Sequence, residues 1–309
     1  MNGVLAAFGI IAAVIVIGVV LGRMRVLGAT AHEVLSGAVF YVAAPALLFT
    51  TVAEADVGDV LSVGLVVAGV SASFCLIAYM LIARLAWGQS LGDGLFGGWA
   101  SSYVNAGNLG IPVAVYAFGD ATYTAPVLLF QIVVLAPLGF AILDATSTDN
   151  ESTPPLARRL VQPFVNPILI GTTAGLITSA ADWTPPLVVG ETLDLLAGLA
   201  VPGALIAFGI SLGMEPWPGI RRLGRRVALA TALKLLVHPM VAYVVARFVF
   251  GVGGTELVAI TAFGALPTAA HVFVYAVKYD REVALARHSI LVTTILSVPV
   301  ITVIAALIG

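Results

Sequence analysis

Charged residues and cysteines are scarce in this chain of 309 residues, and each scarcity excludes a class of protein. Only 10% of the residues are charged, whereas a soluble domain carries about 25%. The single cysteine, Cys75, excludes an internal disulfide and a metal cage built from cysteines. Aspartate and glutamate cluster in the loops and at the helix ends, so a carboxylate proton relay has no evident carrier.

Catalytic and nucleotide-binding motifs are absent as well. The sequence contains no H-E-x-x-H zinc motif, no G-x-S-x-G nucleophile elbow and no P-loop. The segments between the apolar runs are too short to fold into a soluble catalytic domain. We therefore expect no enzyme activity, no metal, no cofactor and no nucleic-acid partner.

Apolar residues are abundant: 60% of the chain is hydrophobic, and the mean hydropathy is +1.08. A helix needs about 20 apolar residues to span a lipid bilayer. Ten such runs predict an all-α integral membrane protein that crosses the cell membrane ten times. The runs cover residues 4–22, 33–52, 61–87, 95–118, 124–144, 163–180, 188–213, 226–250, 256–278 and 285–308.

Lysine and arginine predict the orientation of these helices. Twelve of the 14 basic residues follow odd-numbered runs, while Arg247 lies on the opposite side and Lys234 lies inside a run. Because cytoplasmic loops carry the excess of positive charge, both termini are predicted to face outside. An even number of crossings is then required, which agrees with ten.

The two halves of the sequence resemble each other. The segment IAYMLIARLAWG (77–88) matches VAYVVARFVFG (241–251), and YVAAPALLF (41–49) matches GLAVPGALIAF (198–208). These matches predict two repeats of five helices, and the odd number inverts the second repeat in the membrane. Inverted repeats are typical of secondary transporters, whose binding sites lie near the bilayer midplane at interrupted helices.

The predicted domains follow from this repeat. The first repeat covers residues 1–144, a cytoplasmic linker covers 145–162, and the second repeat covers 163–309. The fourth helix of each repeat contains a proline beside small and polar residues, so an interrupted helix is predicted in both.

In the first repeat, the segment NAGNLGIPV, which begins at Asn105, predicts the interruption. Pro112 lacks the N–H that a helix needs, and its ring displaces the carbonyl of Asn108. Gly107 and Gly110 tolerate the unwinding. The side chains of Asn105 and Asn108 are then candidate solute contacts.

The ninth helix carries the matching feature in the second repeat. Pro267 and Gly264 are predicted to interrupt it, and Thr268 and His271 lie beside the interruption as candidate solute contacts. Two interrupted helices that cross near the midplane would present free backbone amides and helix N-termini, which favour anions.

Three further polar residues lie within the apolar runs. Lys234 and His238 are four residues apart on one face of the eighth helix and are candidate coupling residues. Lys234 either snorkels to the cytoplasmic interface or balances the charge of a transported anion in place of a coupling cation. His238 either bonds to a neighbouring helix or shares that role. Gln131 in the fifth helix is either an interhelical hydrogen-bonding residue or a substrate contact.

Six segments, in this order, resemble the auxin efflux carrier family, which includes the PIN-type plant carriers and many prokaryotic permeases. They extend over the whole chain and both repeats, and the short linker is similar to that of prokaryotic members. The segments are YVAAPALLF, NAGNLGIPV, FQIVVL, VNPILIG, ALPTAAHVFVYAVKYD and HSILVTTILSVPVITVI.

The resemblance implies two inverted five-helix repeats whose fourth and ninth helices cross at their breaks. Helices one, two, six and seven would form a scaffold, and the others would carry solute in an elevator-type movement. Asn105 matches an asparagine that contacts substrate in plant members, and Gln131 matches a glutamine that lines their site. Pro112 and Pro267 match the crossing prolines.

The predicted function is secondary active or facilitated transport of a small organic anion, either a carboxylate or an auxin-like molecule. The first alternative is a sodium-coupled organic anion symporter of the bile-acid transporter type, against which the lack of a buried acid argues. A channel and a membrane-embedded enzyme are less favoured alternatives. The lipid bilayer is the expected environment, and a homodimer through the scaffold is expected.

Overall fold

The computed structural model describes residues 2–54, 63–146, 167–214 and 224–308. Most of the linker predicted at 145–162 lies outside these described residues. Across the described ranges, regular structure is helical apart from one isolated backbone bridge. The helices are α1 (Asn2–Met24), α2 (Ala31–Glu54), α3 (Val63–Trp87), α4 (Leu91–Ser102), α5 (Ala106–Phe118), α6 (121–146), α7 (Pro167–Ala180), α8 (Leu187–Met214), α9 (Arg225–Val249), α10 (Gly254–Gly264), α11 (His271–Lys278) and α12 (Val283–Ile308).

Several of these helices match the dimensions of a bilayer. Within the described ranges, six helices are long and apolar enough to cross it, namely α2, α3, α6, α8, α9 and α12. Shorter apolar segments lie in α1, α5, α7 and α10. The predicted all-helical membrane class is therefore confirmed, whereas the number of crossings and the inverted repeat stay predictions.

Two of the predicted helices are divided, and one division differs in position from the prediction. The predicted ninth helix is interrupted between α10 and α11, a stretch that includes Pro267. The predicted fourth helix is interrupted at residues 103–105, between α4 and α5, and not at Pro112. Pro112 lies within α5 instead.

Four prolines within helices widen a turn without ending the helix. Wide π-type turns end two residues before Pro45, Pro112, Pro137 and Pro239. A proline has no N–H to donate, and its ring crowds the carbonyl of the preceding turn. The extra residue of a π-type turn relieves that crowding. Pro112 therefore reshapes α5 internally, which is why it does not cause the break.

The chain divides into two compact units. Unit 1 comprises the described residues within Met1–Gly64, Ala106–Leu129 and Phe164–Trp217. Unit 2 comprises those within Leu65–Asn105, Phe130–Pro163 and Pro218–Gly309. The helices predicted as a scaffold fall in unit 1, together with α5 and the beginning of α6.

Unit 1 is held together by helices whose backbones approach closely. The helix α1 packs along α8, and α7 packs along α2. Gly18 and Gly22 of α1 lie against the segment of α8 that contains Gly209 and Gly213. A Cβ on Gly18 would lie only 2.5 Å from the carbonyl oxygen of Ile206. Small residues spaced four apart permit such contacts between helices in a membrane.

Unit 2 has a core of aromatic side chains between α4, α6 and α11. The indole of Trp99 is fully buried and lies over Gly139, where any side chain would overlap with it. Neighbouring rings make edge-on or tilted contacts with the indole, which is the arrangement that aromatic pairs prefer. These rings belong to Phe96, Tyr103, Phe140 and Tyr275.

Candidate solute-binding site

The interruption after α4 pairs with the interruption after α10, and both belong to unit 2. Val104 lies opposite Thr268 in an antiparallel bridge. The N–H of Asn105 donates to the carbonyl of Pro267 at 2.8 Å, and a second backbone bond of 3.0 Å joins the flanking residues. An unpaired peptide group costs several kcal/mol in hydrocarbon. The two non-helical stretches therefore satisfy each other, which explains the position of the break at residues 103–105.

Thr268 fastens this crossing to two helices. Its hydroxyl donates to the carbonyl of Ala100 in the last turn of α4, at 2.5 Å. Its N–H donates to the hydroxyl oxygen of Thr293 in α12, at 3.0 Å. The last carbonyls of a helix have no partner within the helix, so Thr268 caps α4. The N–H and the hydroxyl proton of Thr268 are thus used within unit 2, and its predicted contact with solute stays a prediction.

The two amide side chains predicted to bind solute in unit 2 are both buried. Asn105 is 6% exposed and Gln131 is 2% exposed. Gln131 is the first residue of the wide turn 131–135 in α6. Its side-chain nitrogen and oxygen are buried, and neither has a hydrogen-bond partner in the part of the chain that the structure describes. The interhelical bond considered as an alternative for Gln131 is therefore not present in these ranges.

Lys234 is fully buried and points into unit 2. Its Nζ donates to the carbonyl of Gly264, the last residue of α10, at 2.6 Å. The same Nζ lies 3.0 Å from Nδ1 of His238. Within the described ranges, this contact of the imidazole is to its own helix rather than to the neighbouring helix that was predicted. This geometry disagrees with the snorkelling alternative for Lys234, because the ammonium group is engaged inside the protein.

Gly264 allows this contact through its lack of a side chain. A Cβ at this position would lie 2.8 Å from the Cα of Pro239. The backbones of α9 and α10 therefore approach closely, beside the wide turn 233–237 that carries Lys234. The glycine predicted as a hinge thus permits close helix packing.

The remaining predicted residues lie around these elements. His271 is the first residue of α11, and its ring lies 6.3 Å from that of Tyr275. The other four belong to α5 in unit 1, where the wide turn 106–110 precedes the proline and Asn108 is half-buried. These four are Gly107, Asn108, Gly110 and Pro112.

Sequence reasoning missed several supporting residues. Ala100 and Thr293 bond to Thr268 across 168 and 25 residues, and no local motif announces such contacts. The rings of Tyr103 and Tyr275 both pack against the indole of Trp99 beside the crossing. The spacing of Phe96, Trp99 and Tyr103 in the predicted fourth helix was a visible signal for the aromatic core, because residues three, four or seven apart share the face of a helix.

Charged pairs of unit 2 lie at the helix ends, away from the crossing. Arg226 donates to Glu282 at 2.8 Å, and Gln89 donates to the same carboxylate oxygen at 2.9 Å. Burial raises the pKa of Glu282, while Arg226 acts in the opposite direction. Among the aspartates and glutamates whose side chains the structure describes, none is buried.

Paired interruptions in apolar, membrane-length helices are an arrangement found in secondary transporters. A family described as "Membrane transport protein" matches residues 4–305. The chain belongs to this family, which is the auxin efflux carrier family that the sequence resemblance indicated. It is a membrane-embedded, multi-pass transport protein.

Two relatives align over most of the chain. A protein of Rhizobium meliloti (strain 1021) named "Putative malonate transporter" is 26% identical over 271 residues, which is 85% of this chain and 83% of the relative. A protein of Methanothermobacter thermautotrophicus named "Uncharacterized transporter" is 26% identical over 290 residues, which is 92% of this chain and 91% of the relative.

Proposed function

We propose that this transporter carries small organic anions, with dicarboxylates such as malonate as the first candidates. The relative named for malonate supports this substrate class. The helix α11 begins beside the crossing, and a helix N-terminus favours negative charge. None of the aspartates and glutamates whose side chains the structure describes is buried, so none of them would repel an anion there.

Gln131 is the observation that carries the proposal. A buried polar group without a partner costs about 1–3 kcal/mol, so an unpaired amide at 2% exposure needs an explanation. A carboxylate bound beside it would accept hydrogen bonds from the amide nitrogen. Asn105 at the crossing is the second amide that we assign to the site, and Asn108 and His271 are further candidate contacts.

Alternating access is the mechanism that we propose for this transport. The pairing of both interruptions inside unit 2 supports unit 2 as the solute-carrying part of an elevator-type movement. Helical structure at the predicted apolar runs supports ten crossings, and the distribution of lysine and arginine along the sequence supports two inverted repeats with both termini outside. A homodimer through unit 1 is the expected assembly.

A thermal-unfolding experiment with the purified protein tests the site. We expect malonate to raise the melting temperature of the wild type, because a ligand at a hundred times its Kd stabilises by about 2.7 kcal/mol. Acetate and indole-3-acetate serve as the monocarboxylate comparisons. Gln131→Met keeps the approximate volume of the side chain but removes the amide. Without ligand, the free energy of unfolding of this variant should exceed that of the wild type by about 1 kcal/mol, so the variant should melt at a higher temperature. Malonate should no longer raise its melting temperature.

Leu135→Met is the matched control, because Leu135 is 2% exposed and ends the same wide turn. It should retain the malonate shift. If malonate raises the melting temperature of Gln131→Met as much as that of the wild type, Gln131 does not belong to the binding site. A wild type that responds to none of the three anions would overturn the substrate class.

A further inference from the structure

Lys234 is a buried basic side chain whose partners are a helix end and an imidazole. Its side chain has no exposed surface, and its Nζ bonds to the carbonyl of Gly264 and to His238. The ion pairs within the described ranges join Arg226 to Glu282 and Arg281 to Asp93, so neither involves Lys234. The feature that faces the ammonium group is therefore the C-terminus of α10.

The end of α10 is a site that favours a cation. The last carbonyls of a helix lack intrahelical partners, and the helix dipole places about half a negative charge there. Gly264 is the last residue of α10, and the chain turns away after it towards Pro267. In secondary transporters with interrupted helices, carbonyls at such C-terminal ends coordinate the coupling Na⁺ or H⁺.

The fold holds the lysine in this position. The wide turn 233–237 ends two residues before Pro239, and Pro239 packs directly on Gly264. The carbonyl of Leu233 in the same turn accepts a weak hydrogen bond from the Cys75 thiol at 3.6 Å. The turn is thus held by contacts at Leu233 and at Pro239. From it, Nζ of Lys234 donates a short hydrogen bond of 2.6 Å to the carbonyl of Gly264.

The other interrupted helix provides a comparison within unit 2. The C-terminus of α4 is capped by the hydroxyl of Thr268, which is neutral. The C-terminus of α10 is capped by Lys234, which brings a charge. The two half-helices therefore meet at one crossing with equivalent ends but different caps, and the positive charge is placed at one of them.

We infer that Lys234 is a tethered cation that occupies the position of a coupling sodium ion at the C-terminus of α10, so that transport does not require sodium. The ammonium group supplies the positive charge that a co-transported cation would otherwise bring to a site for anions. The transport half of this inference rests on the proposed function. The occupancy of the α10 terminus by Lys234 does not, and it can be tested without any substrate.

Melting temperatures at constant ionic strength test the occupancy. The wild type should melt at the same temperature in sodium chloride and in choline chloride, because the cation position is already filled. Lys234→Ala removes the ammonium group and leaves the Gly264 carbonyl without its partner. This variant should melt lower in choline chloride and recover part of the loss in sodium chloride or propylammonium chloride.

Two further variants keep the test decisive if Lys234→Ala fails to fold. Lys234→Arg retains a cation and should remain folded and insensitive to sodium. Lys234→Met retains an unbranched side chain without charge and should melt below Lys234→Arg. Selective stabilisation of the wild type by sodium would overturn the inference, as would equal melting of the arginine and methionine variants.

Uptake of labelled malonate into proteoliposomes tests the transport half. The wild-type rate of uptake should be the same with sodium and with choline outside the vesicles. The rate of Lys234→Met should be lower than that of the wild type by roughly tenfold or more. A wild-type rate that depends on sodium would contradict the inference. If no vesicle takes up malonate, the proposed substrate is wrong, and the melting experiment still decides the role of Lys234.

Discussion

The two units of this transporter differ in what their glycines accommodate. In unit 1, Gly209 brings the backbone of α8 against Gly18 of α1. In unit 2, Gly139 makes room for the indole of Trp99. Glycine thus joins helix backbones in both units, since Gly264 does so between α9 and α10, and in the second unit it also seats a large ring.

The distribution of buried polar side chains follows the same division. Of the 18 buried polar or charged residues in the described ranges, 14 lie in unit 2 and four in unit 1. Unit 1 therefore depends mainly on van der Waals contacts between closely packed helices. Unit 2 adds directional hydrogen bonds, including those of Thr268 and Lys234. This difference supports the proposal that unit 2 handles the solute and unit 1 supports it.

The largest effect is expected from breaking the close packing of unit 1 with Gly209→Leu. A Cβ there would overlap the carbonyl of Ile15 and lie 2.8 Å from the Cα of Gly18. Because both are backbone atoms, α1 and α8 must separate, and we expect a loss of about 3 kcal/mol or more. Thermal unfolding in detergent measures this loss.

Gly190→Leu is the control for that variant, since Gly190 lies in the same helix with no atom within 4 Å of its Cβ position. It should melt close to the wild type. If Gly209→Leu also melts close to the wild-type temperature, the stability of unit 1 does not depend on contact between the backbones of α1 and α8.

A smaller effect is expected from Thr268→Val, which tests the hydrogen bonding of unit 2. Valine has nearly the same shape, but it leaves the carbonyl of Ala100 without its hydroxyl partner. We expect a loss of about 2 kcal/mol and faster hydrogen exchange at the amides of Asn105 and Ala269. Thr268→Ser keeps the hydroxyl and should preserve the protection of both amides. Equal exchange in the valine and serine variants would count against this cap.

The smallest effect is expected from Glu282→Gln at the helix ends of unit 2. Burial raises the pKa of Glu282 against the opposing effect of Arg226, so the folded protein does not strongly favour the charged carboxylate. The side chain of Arg226 is 44% exposed, and exposed ion pairs contribute less than about 1 kcal/mol. The melting temperature should change little. A loss as large as that of Thr268→Val would show that this pair is more important than its exposure suggests.

The apolar runs predicted the positions of the helices because length and hydropathy are local properties. The interruption near Pro267 was also predictable, since a proline beside Gly264 weakens a helix locally. The interruption at residues 103–105 was not, because pairing with the second interruption fixes its position. Proline chemistry suggested Pro112 instead, and there the structure has a wide turn.

The candidate site was predictable in part. Gln131 and Lys234 stood out as polar residues within apolar runs, but their surroundings depend on contacts distant in sequence. The hydrogen bond from Lys234 to Gly264 joins residues that are 30 positions apart in sequence and that belong to different helices, α9 and α10. The glycines of unit 1 were visible as pairs four residues apart, such as Gly18 and Gly22, and their meaning follows once the facing helix is known.

The backbone bridge between Val104 and Thr268 also bears on biosynthesis. The cap on α4 joins residues 168 positions apart, and contacts so distant in sequence form late, after the entropy of closing a long loop has been overcome. The carbonyl of Ala100 therefore lacks this partner while the ribosome is still making the second half. The emerging α4 must wait for α10 to be inserted, and the crossing is completed near the end of synthesis.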